Sequence, residues 1–171
     1  EAIIPGLLHD VCSAMHPMAV GSPFLRSLEL DKYGLQWLLP EVDCVHPLDD
    51  GSAGVLYRSV EQTATALGAD GGRWRALFAH NSSRYDVLAD DILGPLLRIP
   101  RHPLTLARFG LPALLPTSIL AKAFATPQAR ALFGSVAAHA IQPFSRPLSS
   151  AIGLGILTAG HHGGWAVAAG G

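Results

Sequence analysis

The sequence predicts an α+β fold, with a small, mostly antiparallel sheet beneath a layer of helices. Three observations carry this reading. Short apolar runs bounded by turn residues crowd residues 1–58. Apolar residues at three- and four-residue spacing take over across 59–160. A last short run, 164–169, follows the helices and reads as a closing strand. Together they describe one domain over residues 1–171, long enough to bury a sizeable core.

The first run, 6–8, ends on the adjacent His9 and Asp10. Val11 and Cys12 are again strand-like, and Pro17 stops the pattern. Apolar residues that give way to polar ones suggest a buried strand presenting side chains at a cleft. The plain alternative is a strand end whose His and Asp are satisfied by backbone groups. Ser22-Pro23 reads as an N-cap followed by proline at the first helical position. Phe24, Leu25 and Leu28 give helical spacing, and Gly34 ends that element. Residues 35–39 form a short apolar strand. Residues 44–48 and 55–58 flank Asp49-Asp50-Gly51-Ser52 as a hairpin, because glycine tolerates positive φ. Ser59 and Gln62 make a capping-box pattern that opens a helix ending near Leu67.

Residues 68–72 read as a loop. From Arg73 the chain turns helical, with Trp74, Leu77 and Phe78 defining an apolar face. A second helix is predicted over 85–93. Prolines at 95, 100, 103, 112 and 116 cut the next part into short segments. Pro127 opens a helix that carries Ala131, Leu132, Val136 and His139 on related faces. Residues 151–159 read as helix, although Gly153 and Gly155 weaken it by about 1 kcal/mol each against Ala. Those glycines serve close backbone packing as the other reading. Residues 160–164 form a hinge-like turn before a final strand at 165–168.

Composition narrows function. Twelve basic residues face 13 acidic ones, and the pI is about 6.8, which gives no electrostatic case for nucleic acid. Charged residues are only 15% of the chain and mean hydropathy is +0.31. So apolar a chain implies an intimate partner or an apolar ligand. No membrane span is convincing: the best stretch, 104–125, contains Arg108, Pro112, Pro116 and Lys122. Two cysteines, Cys12 and Cys44, make no disulfide framework and fit reduced thiols. The chain opens on Glu1 with no signal-peptide pattern, which suggests a cut piece of a longer protein.

Catalytic motifs are sparse. Eight histidines include neighbours at 161 and 162, but HExxH and Cys/His ligand spacings are missing, so no metal site is expected. Ser13 and Ser118 lack a GxSxG elbow. Asn81-Ser82-Ser83 fits the glycosylation pattern without a secretory context and reads as loop. Gly153-x-Gly155 fails the dinucleotide fingerprint because position 158 is threonine.

Pro5-Gly6-x-x-His9-Asp10-x-x-Ser13 resembles the segment that follows the first flavin-binding unit in phytoene-dehydrogenase-like proteins of the flavin amine-oxidase superfamily. Gly163-Gly164-Trp165-x-Val167-x-x-Gly170-Gly171 resembles a second motif of that group. Leu93-Gly94-Pro95-Leu96-Leu97 and His139-Ala140-x-x-Pro143 fit between them. The resemblance spans nearly the whole chain. It implies the substrate domain of a two-domain flavoprotein, inserted between the halves of a flavin-binding domain.

The parent would be an FAD-dependent dehydrogenase or desaturase acting on an apolar substrate. Since the GxGxxG unit is missing, no FAD is expected to bind this chain tightly. The resemblance makes His9, Asp10, Ser13, His16, Gly164 and Trp165 flavin- or substrate-facing candidates, and it assigns no catalytic residue. His9 is expected to face the flavin, with Asp10 holding N–H groups behind it. Aliphatic helices over 92–142 are expected to line an apolar tunnel, or else to form core and the face against the missing domain. Ala166 and Ala169 depart from the family's proline and basic residue. The implied partners are the flavin-binding portion and an apolar small molecule, with a membrane surface or a second copy next in line. The implied location is the cytoplasm, at or away from a membrane. A non-enzymatic helical interaction or membrane-surface module over 92–125, against which stand that segment's few Lys or Arg residues and poor amphipathicity, or an apolar-ligand carrier, is the competing reading.

Overall fold

Proline and hydroxyl side chains set where the helices begin. A computed structural model of the chain describes residues 2–8, 10, 13–95 and 99–170. Proline opens α1 (Pro17–Val20), α2 (Pro23–Ser27), α6 (Pro103–Ala113) and α8 (Pro127–Ala137). Ser22 Oγ accepts the Leu25 N–H at 3.2 Å. Ser59 Oγ accepts the Gln62 N–H at 3.3 Å and so opens α3 (Val60–Ala66). Thr126 caps α8 in the same way. The remaining helices are α4 (Gly71–Ser83), α5 (Tyr85–Ile92), α7 (Thr117–Leu120) and α9 (Ser149–Gly163).

The fold is α+β, and its strands pair antiparallel, but they do not join into one sheet. Three separate two-stranded ribbons form among the described residues. β1 (Ala2–Ile4) turns through Pro5-Gly6 into β2 (Leu7–Leu8). β3 (Trp37–Leu38) pairs with β6 (Val167–Ala168), and β4 (Cys44–Pro47) pairs with β5 (Ala53–Leu56). Strands of two to four residues offer too few ladder bonds to recruit a third neighbour. Helices occupy the space instead: α8 packs across β5, and α9 runs beneath α8, α4, α6 and α1.

The predicted hairpin turns where expected, with Leu48 N–H donating to the Ser52 carbonyl at 2.8 Å. The predicted loop at 68–72 is not a loop. A 3-10 turn, Gly68–Asp70, runs straight into α4. The cause is Asp70, a fully buried carboxylate. It accepts the Ala125 and Thr126 N–H groups and the Thr126 hydroxyl at 2.6–3.0 Å, and Arg73 at 3.0 Å. Burial alone would raise this carboxyl, yet those donors hold it at about 2. The predicted hinge at 160–164 is also shorter, because α9 continues to Gly163. Val11, Cys12, Leu96 and Leu97 lie outside the described residues.

The core is a file of rings. Trp74 meets Phe78 at 4.5 Å and Phe124 at 5.7 Å between centroids, and Phe124 meets Phe133 at 5.9 Å. Leu56, Leu88, Leu132, Leu154 and Leu157 close around them. α9 is buried on nearly every side, so its small residues matter for distance more than for helix propensity. A Cβ on Gly153 would lie 2.8 Å from the Ala137 Cα, which fixes how closely α9 approaches α8. The neighbouring histidines part ways. His161 accepts the Trp74 indole N–H at 2.9 Å within the core, while His162 stacks on Tyr85 with centroids 5.0 Å apart.

Candidate functional site

The two ends of the described chain meet at one place. α9 ends at Gly164, whose φ of +90° suits glycine and turns the backbone sharply. Trp165 thereby folds back against Gly160, where a Cβ would collide with the indole. Its N–H donates to Asp43 Oδ1 at 3.4 Å. The next carbonyl, on Ala166, accepts the His16 N–H at 2.8 Å. β6 then pairs with β3, and the Trp37 ring lies 5.6 Å from the His16 ring. His16 is thus held by its backbone at the residue before β6 and by its ring against β3.

A cleft of about 560 Å³ opens beside this junction. One wall is the continuous stretch 13–19, with Ser13, Met15, His16 and Met18; the other is Ile156 of α9 and Trp165. Asp10 and His139 stand at its rim. The lining is mixed: methionines that adapt to irregular ligands stand with Ile156 and Trp165 beside the polar Asp10, Ser13, His16 and His139. Asp10 is exposed, and its Oδ1 accepts the Ser13 N–H at 2.9 Å. His139 Nδ1 donates to the Val136 carbonyl at 3.0 Å.

Of the six sequence-predicted residues, Asp10, Ser13, His16 and Trp165 line one cleft. Gly164 shapes the turn that delivers Trp165 and does not line the cleft itself. His9 lies outside the described residues. Met15, Met18, Ile156 and Asp43 were not signalled by the sequence. Ile156 and Asp43 reach the site by tertiary packing alone, and His139 carried a signal in its motif. Of the two readings of 92–142, core describes Phe109, Ala113, Leu120, Phe124, Leu132 and Phe133. Among the described residues of that stretch only His139 borders the cleft, while Leu104, Leu111 and Leu114 point outward.

Asp43 carries the main electrostatic feature of the junction. Burial raises its carboxyl above the usual range, against the opposing pull of the Trp165 N–H and Arg58. Its Oδ2 is buried without a hydrogen-bond partner. The adjacent Cys44 is a free thiol pushed upward by burial and by Asp43. Among the described residues no three His, Cys, Asp or Glu side chains are grouped to hold a metal ion. No family model matches the chain, and neither a curated protein nor a solved structure matches it.

Proposed function

We propose that this chain is the substrate-binding portion of an FAD-dependent oxidoreductase acting on an apolar substrate. The observation that supports it is the cleft where the two resembling motifs, some 150 residues apart in sequence, come together: Asp10, residues 13–16 and Trp165 line it, and His16 N–H bonds Ala166 beside it. The fit to flavin is partial. The cleft offers Met15, Met18, Ile156 and Trp165 beside the polar Ser13, His16 and Asp10, which suits one end of a flat heteroaromatic ring. The chain has no GxGxxG turn to cradle a pyrophosphate, so the rest of the cofactor belongs to the flavin-binding portion of the same protein. When bound, the flavin supplies the hydride chemistry.

The residues of this chain then supply position and dryness. Met15, Met18, Ile156 and Trp165 exclude water and grip an apolar substrate. His16, fixed through its N–H and by Trp37, presents an imidazole at a constant place. Among the described residues no single helix is long and apolar enough to cross a membrane. We assign the protein to the cytoplasm on its two cysteines, which make no disulfide framework.

The test begins with the full reading frame, expressed beside residues 1–171 alone. The full frame is expected to purify yellow with stoichiometric flavin, and the 1–171 chain colourless. In the full frame, His16→Ala and Trp165→Phe should shift the flavin absorbance band or its reduction potential while melting within a few degrees of the parent. A full frame without flavin sinks the proposal. So does a flavin whose spectrum and potential ignore both substitutions.

A further inference from the structure

We infer that the outer face of α6 and α7, continued by residues 141–152, docks on an anionic lipid surface. The inference stands independently of the flavoprotein reading. Leu104, Arg108, Leu111 and Leu115 follow one another at spacings of four, three and four, which is a single stripe along α6 and the turn beyond it. Leu104 is 86% exposed and Leu111 67%, whereas Phe109 and Ala113 on the other side are buried. The stripe does not end with the helix. Ser118 N–H donates to the Phe144 carbonyl at 3.0 Å and Leu148 N–H to the Leu114 carbonyl at 3.1 Å. Those bonds lay the exposed side chains of Phe144 and Leu148 beside Leu114 and Ile119 as one apolar patch.

The backbone of the continuing segment is strained outward. Ile141 and Leu148 have φ of +49° and +67°, a region that side-chain-bearing residues avoid and β-branched ones most of all. Their side chains are 93% and 52% exposed. Strain of this kind persists where function needs it, and here it turns two large apolar side chains to the outside.

Charge says what covers the patch. Every one of the 13 Asp and Glu residues precedes residue 92. Residues 92–171 carry Arg98, Arg101, Arg108, Lys122, Arg130 and Arg146 and no acid at all. Arg108, Lys122 and Arg146 are exposed and make no ion pair among the described residues. Asp90 and Asp91 stand at the start of α6, where Asp90 meets Arg101 and Asp91 accepts the Arg101 and His102 N–H groups. Beyond that end leucine and isoleucine are interspersed with cations, which matches a bilayer interface: the apolar side chains enter the acyl boundary and the cations meet headgroup phosphates. Nucleic acid would ask for aromatic platforms between the cations, and a protein partner would not require the acids to be cleared from 80 residues. α6 and the helical stretch after it meet at 90°. They therefore lie along a surface as a bent pair and make no straight crossing.

The experiment is sedimentation of the protein, in its full reading frame, with vesicles of phosphatidylcholine alone or mixed with phosphatidylserine. Binding to the mixed vesicles and not to the neutral ones is expected, weakening as salt rises. Arg108→Glu, Lys122→Glu and Arg146→Glu should each weaken binding about fivefold or more. Leu111→Glu with Ile119→Glu should abolish it, and all five positions are exposed, so the far-UV circular dichroism should not change. Equal binding to neutral vesicles, or no binding, overturns the inference. It is equally overturned by a dimer that Leu111→Glu dissociates, since a second copy would then own the face.

Discussion

Burial holds the His161 imidazole at a pKa of about 4, against an ordinary value near 6.5. The ring is locked by two bonds: Nδ1–H donates to the Arg58 carbonyl at 2.9 Å, and Nε2 accepts from Trp74. A proton added at Nε2 would face another donor, so the folded state keeps the ring neutral. The unfolded chain binds that proton more readily. Stability is therefore complete above about 6.5 and is lost as pH falls toward 4, by about 3 kcal/mol over that window. Denaturant titrations between those two values should show this decline, and His161→Gln should flatten it. A slope unchanged by His161→Gln would remove His161 as its source. The sequence singled out the histidine pair as a feature, but nothing in it separated the core ring from its stacked neighbour. That difference depends on Trp74, 87 positions away.

Element by element, the helices were the most legible part. Ser22-Pro23, Ser59 with Gln62, and Pro127 are local signals, and local bonds answer them. The ribbons were legible as strands but not as pairs. Trp37 cannot announce that its partner is Ala168, because period-two patterning carries no address. The same limit applies to the glycines of α9. Gly153 and Gly155 look alike in sequence, yet the first abuts the Ala137 backbone and the second has nothing within 4 Å of an added Cβ. Gly153→Ala should force α8 and α9 apart and destabilise the fold by about 1–3 kcal/mol. Gly155→Ala should stabilise it by about 0.5–1 kcal/mol through helix propensity and a less free unfolded chain. Chemical denaturation of the two variants checks both signs at once, and equal effects would contradict the packing described.

Across the whole molecule, the division legible in sequence between a strand-rich 1–58 and a helix-rich 59–160 is not a division in space. α8 lies on β5, α9 runs beneath α1, and β6 closes on β3. Trp37, Trp74 and Trp165 sit in the early, middle and late parts of the chain. Their fluorescence should change in a single transition that superimposes on the loss of helical circular dichroism. Two separated midpoints would mean that the parts fold apart. The cleft was partly legible, since its motif residues stood out; the methionines, Ile156 and Asp43 did not, because only the folded chain assembles them. The bond from His16 to Ala166 also sets a schedule. At about 5–20 residues per second, translation delivers Ala166 roughly eight to thirty seconds after His16. Throughout that interval the 13–19 stretch has no second wall to close against, and its methionines stay open to whatever chaperones attend the growing chain.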